Sequence, residues 1–280
     1  DEHFTFEPSK VYVSPTGYIY TMKGQQLLMM DAQNTFRGFI GAAEVGFDLT
    51  SVLIRMFASK EQKERIARRM PPPYINFTAG PDEMIYAVTL DYNGGQIKKL
   101  NSVGKNILKK QPFGEQRDDK GEHIKPIFSD ITVDNNGIIT VVEERTCKIY
   151  QYDQEGNLLT VFGGKGTRKG YFQKPSAIDV DSRGNIYVLD MNANSIQVFE
   201  PTKFIILVHS AVKLYSEGKY EEALKYWQQV LKIDENYRLA NKGMAKTLMK
   251  AEEWKKAMTE YRKADDKDGY SQAFTEYRHH

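Results

Sequence analysis

Residues 171–201 read YFQKPSAIDVDSRGNIYVLDMNANSIQVFEP, and this stretch decides the fold. Apolar and polar residues alternate at 177–180 and 186–189, on either side of a turn at 181–185, and a third apolar run follows at 196–199. Alternation with a period of two around a glycine-containing turn predicts a β-hairpin, and the third run extends it to an antiparallel meander. Because one meander cannot bury its own face, we expect neighbours of the same kind.

The same layout recurs upstream. A clear copy begins at Ile131, has its turn at Gly137, and adds an outer fourth strand near 158–164. Weaker copies begin at Val11 and Tyr74. The turns lie near residues 17, 82, 137 and 184. Four-stranded units repeated at such intervals are typical of β-propeller blades.

The last two copies resemble the NHL-repeat family of β-propellers. The resemblance implies an all-β propeller domain of NHL-like blades over residues 1–201. The residues that carry it are Phe162, Gly163, Gly164, Phe172, Pro175, Gly184, Asn185, Ile186, Tyr187, Val188, Asn194, Ser195, Ile196, Gln197, Val198 and Phe199.

Two interpretations of the ring are open. The last copy stops after its third strand, because Pro201 follows and a helical pattern begins. Propellers often close when an N-terminal strand completes the last blade, and residues 3–6 could supply that strand. Alternatively, residues 3–6 end an earlier blade that lies outside this sequence. NHL propellers usually have six blades, so we favour the incomplete ring.

A helical pattern interrupts the strands at 47–70. Leu49, Val52, Leu53 and Met56 recur with helical spacing, which predicts a helical insertion. Its second half is a basic helix near 55–69, and the positive residues are Arg55, Lys60, Lys63, Arg65, Arg68 and Arg69. Such a helix is either a solvated face packed over the propeller or a contact for anionic lipid headgroups or an acidic partner.

Past Pro201 the apolar residues follow a helical period. Tyr220, Ala223 and Trp227 are followed 34 positions later by Trp254, Ala257 and Tyr261. This spacing is the tetratricopeptide period, and the segment resembles two tetratricopeptide repeats. We expect helix A at about 205–216 and 238–250, helix B at about 220–233 and 254–265, and a capping helix at 271–277. Residues 202–280 are therefore predicted to be a small all-α domain.

Three lysines of the helical segment form a candidate binding site for a partner. Lys242, Lys246 and Lys250 recur every four residues on the second helix A, near positions that face the concave groove in tetratricopeptide proteins. The resemblance implies that such a stripe can bind carboxylates of a partner peptide. The alternative is an ordinary solvated helix face.

Composition excludes little beyond disulfides and bilayer spans. The 280 residues carry a net charge of +2, which gives no argument for nucleic-acid binding. The single cysteine, Cys147, cannot form an internal disulfide. No apolar run approaches the roughly 18 residues that a membrane-spanning helix needs.

Catalysis is the alternative function. Some propellers are lactonases or other hydrolases whose metal is held by acids and Asn in the central channel. The candidates here are Asp130, Asp134, Asp179, Asp181, Asp190, Asn192 and Asn194. However, Asp134 and Asp181 also open turns, where their side chains bind the backbone. The five histidines have no metal-ligand spacing, so we predict no catalytic, cofactor-binding or metal site.

The order of the repeats leads to the predicted function. An NHL-like propeller followed by two tetratricopeptide repeats is similar to a group of bacterial, mostly clostridial, proteins. The resemblance implies a non-catalytic scaffold that binds a protein or peptide partner, without cofactor or nucleic acid. It favours the bacterial cell surface or a membrane-associated location over the cytoplasm. Membrane association would require segments outside this sequence or the basic helix near 55–69.

Overall fold

A computed structural model describes residues 7–279 except 25, 41–71, 94 and 119. The predicted helical insertion at 47–70, with its basic helix, and the predicted strand at 3–6 lie outside the described residues and stay predictions. The chain divides into two compact units, one of Asp1–Gly156 with Val161–Phe199 and one of Asn157–Thr160 with Glu200–His280.

The described strands form four antiparallel sheets, each in chain order and here called blades 1 to 4. Blade 1 contains β1 (Lys10–Val13), β2 (Ile19–Lys23), β3 (Gln26–Met30) and β4 (Phe36–Ile40). Blade 2 contains β5 (Tyr74–Ala79), β6 (Ile85–Thr89) and β7 (Ile97–Leu100). Blade 3 contains β8 (Phe128–Val133), β9 (Ile139–Glu143), β10 (Lys148–Tyr152) and β11 (Leu158–Gly163). Blade 4 contains β12 (Pro175–Val180), β13 (Ile186–Asp190) and β14 (Ser195–Phe199).

The blades follow one another through their first strands. Strand β5 contacts both β1 and β8, and β8 contacts β12. The described residues do not close this series into a ring. The predicted all-β blades are therefore confirmed, with the outer fourth strand of blade 3 at β11.

Hydrophobic clusters fill the spaces between successive blades. Phe77 lies fully buried in the cluster shared by blades 1 and 2. Phe128 and Tyr86 are equally buried between blades 2 and 3, and Phe172 is buried between blades 3 and 4. Burying each such ring contributes about 1.5–3 kcal/mol, so packing of blade against blade supplies the stability that one meander lacks.

One hydrogen-bonded turn recurs at the hairpins. In blade 3, Oδ1 of Asp134 accepts from the N–H groups of Asn136 and Ile138, each at 2.8 Å. In blade 4, Oδ1 of Asp181 accepts from the N–H groups two and four residues ahead, at 2.8 and 2.9 Å. The fourth turn residue, Gly137 or Gly184, has a φ of 77° or 83°, which glycine adopts without steric cost. The pattern Asp-x-x-Gly therefore encodes the turn directly.

The described residues after Pro201 form five helices. These are α1 (Lys203–Ser216), α2 (Tyr220–Ile233), α3 (Arg238–Lys250), α4 (Trp254–Lys263) and α5 (Lys267–His279). Each helix packs against the next along the chain. The first four match the predicted helix pairs within two residues, and the predicted capping helix is longer at both ends. None of the described helices is both long and apolar enough to cross a bilayer.

An aromatic residue of each helix B packs against a glycine of the following helix. Trp227 of α2 is 2% exposed, and a Cβ added at Gly243 of α3 would lie 2.5 Å from its Cε2 atom. Tyr261 of α4 is buried, and a Cβ at Gly269 of α5 would lie 2.5 Å from its Cδ1 atom. The missing side chains let the helices approach closely.

Candidate functional site

The three lysines of α3 have different surroundings. The ammonium of Lys242 forms an ion pair with Asp266, at 3.0 Å. Burial alone would raise the pKa of Asp266, but the N–H of Gly269 and the Lys242 ammonium hold it below its usual value. Because Asp266 precedes α5 and accepts from Gly269 N–H at 2.9 Å, Lys242 helps to fix the start of that helix.

Lys246 and Lys250 line a groove. The Lys246 ammonium lies 5.4 Å from the centre of the Tyr215 ring, within the range of a cation–π interaction. Lys250 is exposed, and no described residue forms an ion pair with it. The groove has a volume of about 360 Å³, and its lining residues are Tyr215, Lys246, Met249, Lys250, Trp254, Tyr261, Gln272 and Glu276.

Helices α1, α3, α4 and α5 all contribute to this groove. Aromatic rings and the aliphatic stems of the lysines offer apolar contact, while two ammonium groups outnumber the single carboxylate of Glu276. The spacing of the lysines in the sequence predicted them as a candidate binding site. The sequence did not predict Tyr215, Trp254 and Tyr261 as groove residues, because their helical spacing is also expected of residues in a buried core.

Three of the aspartates considered as channel ligands accept backbone N–H groups, and for Asp134 and Asp181 the turn pattern predicts these bonds. Asp134 and Asp181 each accept the turn bonds described above. Asp190 ends β13, and its carboxylate accepts from the N–H groups of Gln173, Lys174 and Ala193. Burial would raise the pKa of Asp190, but these N–H donors lower it. Each of these carboxylates therefore has a structural role in holding a turn or a strand end.

Asp130, on β8 of blade 3, interacts with residues of the other three blades. Its Oδ1 accepts from Asn76 Nδ2 in blade 2 at 2.6 Å, and its Oδ2 accepts from the N–H of Ile178 in blade 4 at 2.9 Å. Lys10 of blade 1 lies 3.7 Å away and also contacts Asn76. Burial raises the pKa of Asp130, although these donors oppose the shift. The residue therefore joins inner strands through hydrogen bonds.

The remaining channel candidates are Asp179, Asn192 and Asn194. Asp179 accepts from Thr132 at 3.2 Å and from the N–H of Val180 at 2.8 Å. Asn194 lies in the β13–β14 turn with a φ of 47°, two residues after Asn192. Within residues 7–279, less the gaps given above, no three His, Cys, Asp or Glu side chains are grouped so as to hold a metal ion.

A second cavity, which the sequence did not indicate, lies between blades 1 and 2. Its volume is about 580 Å³. Tyr12, Tyr18 and Tyr20 of the β1–β2 hairpin line it, together with the β5–β6 turn at residues 79–85. These two segments are about sixty residues apart in the chain, so no local motif marks the site. The one signal is Glu83, which stands where the other turns have Gly or Asn.

Family models match two segments of the chain. An NHL repeat model matches residues 172–199, and a tetratricopeptide repeat model matches residues 214–272. Both predicted repeat types are therefore confirmed. Repeats of both kinds generally mediate protein interactions. The predicted likeness to clostridial proteins stays a prediction. No curated protein sequence matches the chain.

Solved structures resemble the chain only distantly. A streptogramin B lyase structure shares 16% identity over 70% of this chain and 55% of its own, with a TM-score of 0.41. The WD40 β-propeller domain of Doa1 shares 13% sequence identity over 69% of this chain and 52% of its own, with a TM-score of 0.43. A protein of unknown function from Bacteroides caccae shares 13% sequence identity over 71% of this chain and 62% of its own, with a TM-score of 0.40.

This chain spans between about half and three fifths of those structures. Their scores are too low to carry an argument about activity. The family matches and the four successive sheets carry the assignment instead. The chain contains four successive antiparallel sheets, with an NHL repeat at residues 172–199 in the last of them, followed by tetratricopeptide repeats at 214–272.

Proposed function

We propose that this protein is a non-catalytic interaction scaffold whose tetratricopeptide groove binds an acidic segment of a partner protein. The observation that carries the proposal is the groove between α1, α3, α4 and α5, where Lys246 and Lys250 lie beside Trp254. A groove of this kind can take an extended or helical peptide, with the ammonium groups near its carboxylates.

The charges of the groove favour an acidic partner over a basic one. Glu276 is the only carboxylate among the described lining residues, against two ammonium groups. No carboxylate of the described residues pairs with Lys250, so a partner's carboxylate would add an ion pair there without displacing one of them. Because the groove is open to solvent, the attraction is modest and screened by salt.

Lys242 has a supporting part in this proposal. Its ammonium is engaged by Asp266, which lies directly before α5. Helix α5 supplies Gln272 and Glu276 to the groove, so the ion pair fixes one groove wall. We therefore assign the partner contact to Lys246 and Lys250, and the positioning of α5 to Lys242.

The hydrolase alternative is less well supported, because the candidate acidic side chains form hydrogen bonds within the fold. A metal-dependent hydrolase needs carboxylates that converge on one point with free lone pairs. Here Asp130 holds neighbouring blades, while Asp134, Asp181 and Asp190 accept backbone N–H groups.

A titration of the full chain with a labelled hexaglutamate peptide tests the proposal. Trp254 lines the groove, and the only other tryptophan, Trp227, is buried in the helix packing, so tryptophan fluorescence reports on the site. We expect saturable binding that weakens with added salt. Replacing both lysines (Lys246→Gln with Lys250→Gln) should weaken it by about tenfold, since each exposed ion pair contributes up to about 1 kcal/mol.

Lys232→Gln is the matched control, because Lys232 is exposed on α2 and does not line the groove. It should leave the affinity unchanged. Hexaglutamine should bind at least about tenfold more weakly than hexaglutamate if two charge contacts operate. Equal affinity for the two peptides, or equal losses in the double variant and the control, would remove the basis of the proposal.

A further inference from the structure

The cavity between blades 1 and 2 has the size and lining of a small-ligand site. At about 580 Å³ it falls within the range of known ligand pockets. Tyr20 is 9% exposed, so its ring forms a firm wall, whereas Tyr18 is 37% exposed at the rim. Tyr12 completes the aromatic side, with its ring centre 6.4 Å from that of Tyr20.

The β5–β6 turn gives the cavity two acidic residues, Asp82 and Glu83. Asp82 is already neutralised, because it forms an ion pair with Lys99 at 2.7 Å and accepts from the Tyr86 hydroxyl at 2.9 Å. Glu83 is exposed, and none of the described residues pairs with its carboxylate. Glu83 and Tyr20 line the same cavity. Burial raises the pKa of Tyr20, and the charge of Glu83 raises it further.

The backbone holds Glu83 in an unusual conformation. Its φ is 58°, in the left-handed region, at the fourth position of the turn that runs from Gly80 to Met84. The corresponding positions of other hairpin turns are Gly17, Asn34, Gly137 and Gly184, which tolerate that region well. Non-glycine residues held there cluster at functional sites, because the cost is otherwise avoidable.

We propose that this cavity binds an organic ammonium group, with Tyr12, Tyr18 and Tyr20 offering ring faces and Glu83 offering the counter-charge. Alkylated ammonium ions are weakly hydrated and are attracted to the negative faces of aromatic rings. The carboxylate of Glu83 adds a negative charge with which no described residue forms an ion pair. Neither Lys nor Arg occurs among the described residues of the lining, so an anionic ligand would meet repulsion there.

Choline is the probe for the full chain, and 3,3-dimethylbutan-1-ol is its uncharged counterpart of the same shape. Binding is measured by isothermal titration calorimetry and saturation-transfer NMR, with sodium chloride added to keep the ionic strength equal. We expect choline to bind in the millimolar range and the neutral alcohol to bind about tenfold more weakly, because only the cation gains from rings and carboxylate.

Two variants and a control assign the contacts. Glu83→Gln keeps the shape of the side chain and removes its charge, and Tyr18→Leu keeps apolar volume and removes the ring face. Each should weaken choline binding about fivefold or more. Glu122→Gln removes a carboxylate from an exposed turn outside the cavity and should change nothing. Circular dichroism of each variant shows that the fold is kept.

Several outcomes would overturn the proposal: no choline binding across the millimolar range, equal binding of the neutral alcohol, or a cavity that takes glucose and not choline. A trimethyllysine peptide separates the two sources of an ammonium group. Tighter binding of the peptide than of choline supports a partner's side chain, and equal binding supports a free amine. This test concerns the first unit, so its failure would leave the proposed function of the helical groove untouched.

Discussion

Asp181 shows how one carboxylate holds a hairpin turn. Burial would raise its pKa, but the N–H groups of Asn185 and Arg183 and their side chains lower it to about 2. A folded-state pKa below the usual 3.8 means that the carboxylate stabilises the turn fully above about pH 4. That contribution is lost as the pH falls through about 2, when the folded carboxylate takes up its proton.

An NMR titration checks this prediction. The amide protons of Arg183 and Asn185, which donate to Asp181, should shift together with a midpoint near pH 2. In Asp181→Asn the acid shift should vanish, because the side chain no longer titrates. A midpoint near the unperturbed value of about 4 would show that the turn bonds do not favour the charged form.

The sequence could predict the roles of some carboxylates and not of others. Asp134 and Asp181 sit in an Asp-x-x-Gly pattern, so their turn bonds follow from local sequence. Asp130 has no such pattern. Its partners Asn76 and Ile178 are about fifty residues away on either side, and the β-strand register shifts at Asp130 and Asn76. Only the assembled blades reveal that it joins them.

At the scale of elements, Gly243 tests how helix α3 fits against α2. In an ordinary helix Gly→Ala would stabilise by about 1 kcal/mol. Here the new Cβ would lie 2.5 Å from Cε2 of Trp227, and such overpacking costs about 1–3 kcal/mol. We expect Gly243→Ala to lower the free energy of unfolding of the helices by about 1 kcal/mol, measured by urea denaturation with circular dichroism at 222 nm.

A double-mutant cycle supplies the control. In a Trp227→Leu background the indole is gone, so Gly243→Ala should be nearly neutral or stabilising. Thr259→Ala, on the exposed face of α4, should change the midpoint little. If Gly243→Ala destabilises equally with and without the indole, the close approach of the two helices is not the cause.

The sequence predicted the start of a helix correctly where the first residue of the helix is also the first residue of an apolar stripe. Tyr220 and Trp254 begin α2 and α4 as predicted, because both start their stripes. The start of α5 was missed, since Gly269 in its first turn disfavours a helix. The structure shows the compensation: Asp266 accepts from the Gly269 N–H, and the absent side chain makes room for Tyr261.

For the whole molecule, the change of period at Pro201 predicted the change of architecture, because strands and helices bury apolar residues at different spacings. The cavity beside Glu83 could not be predicted in this way. It requires the β1–β2 hairpin and the β5–β6 turn to meet, and that depends on packing between blades. The positive φ of Glu83 likewise becomes visible only in the folded backbone.

Each unit has hydrophobic clusters of its own, so we expect the two to unfold in separate transitions. The blades contain the clusters around Phe77, Phe128 and Phe172, and the helices contain the cluster around Tyr261. Phe128→Ala removes a fully buried ring and should destabilise the blades by about 3–5 kcal/mol. Calorimetry of this variant should show the transition of the blades at a lower temperature than in the unmodified protein.

Tryptophan fluorescence then separates the two units, because Trp227 and Trp254 both lie in helices. In Phe128→Ala the fluorescence transition, which reports on the helices, should keep its midpoint temperature. In Gly243→Ala the midpoint of the fluorescence transition should be lower, while the calorimetric transition of the blades should keep its temperature. Crossed effects of this kind require that neither unit depends on the other for its folding free energy. If both transitions instead moved together in either variant, the chain would unfold as one cooperative body, and a boundary near residue 201 would have no thermodynamic meaning.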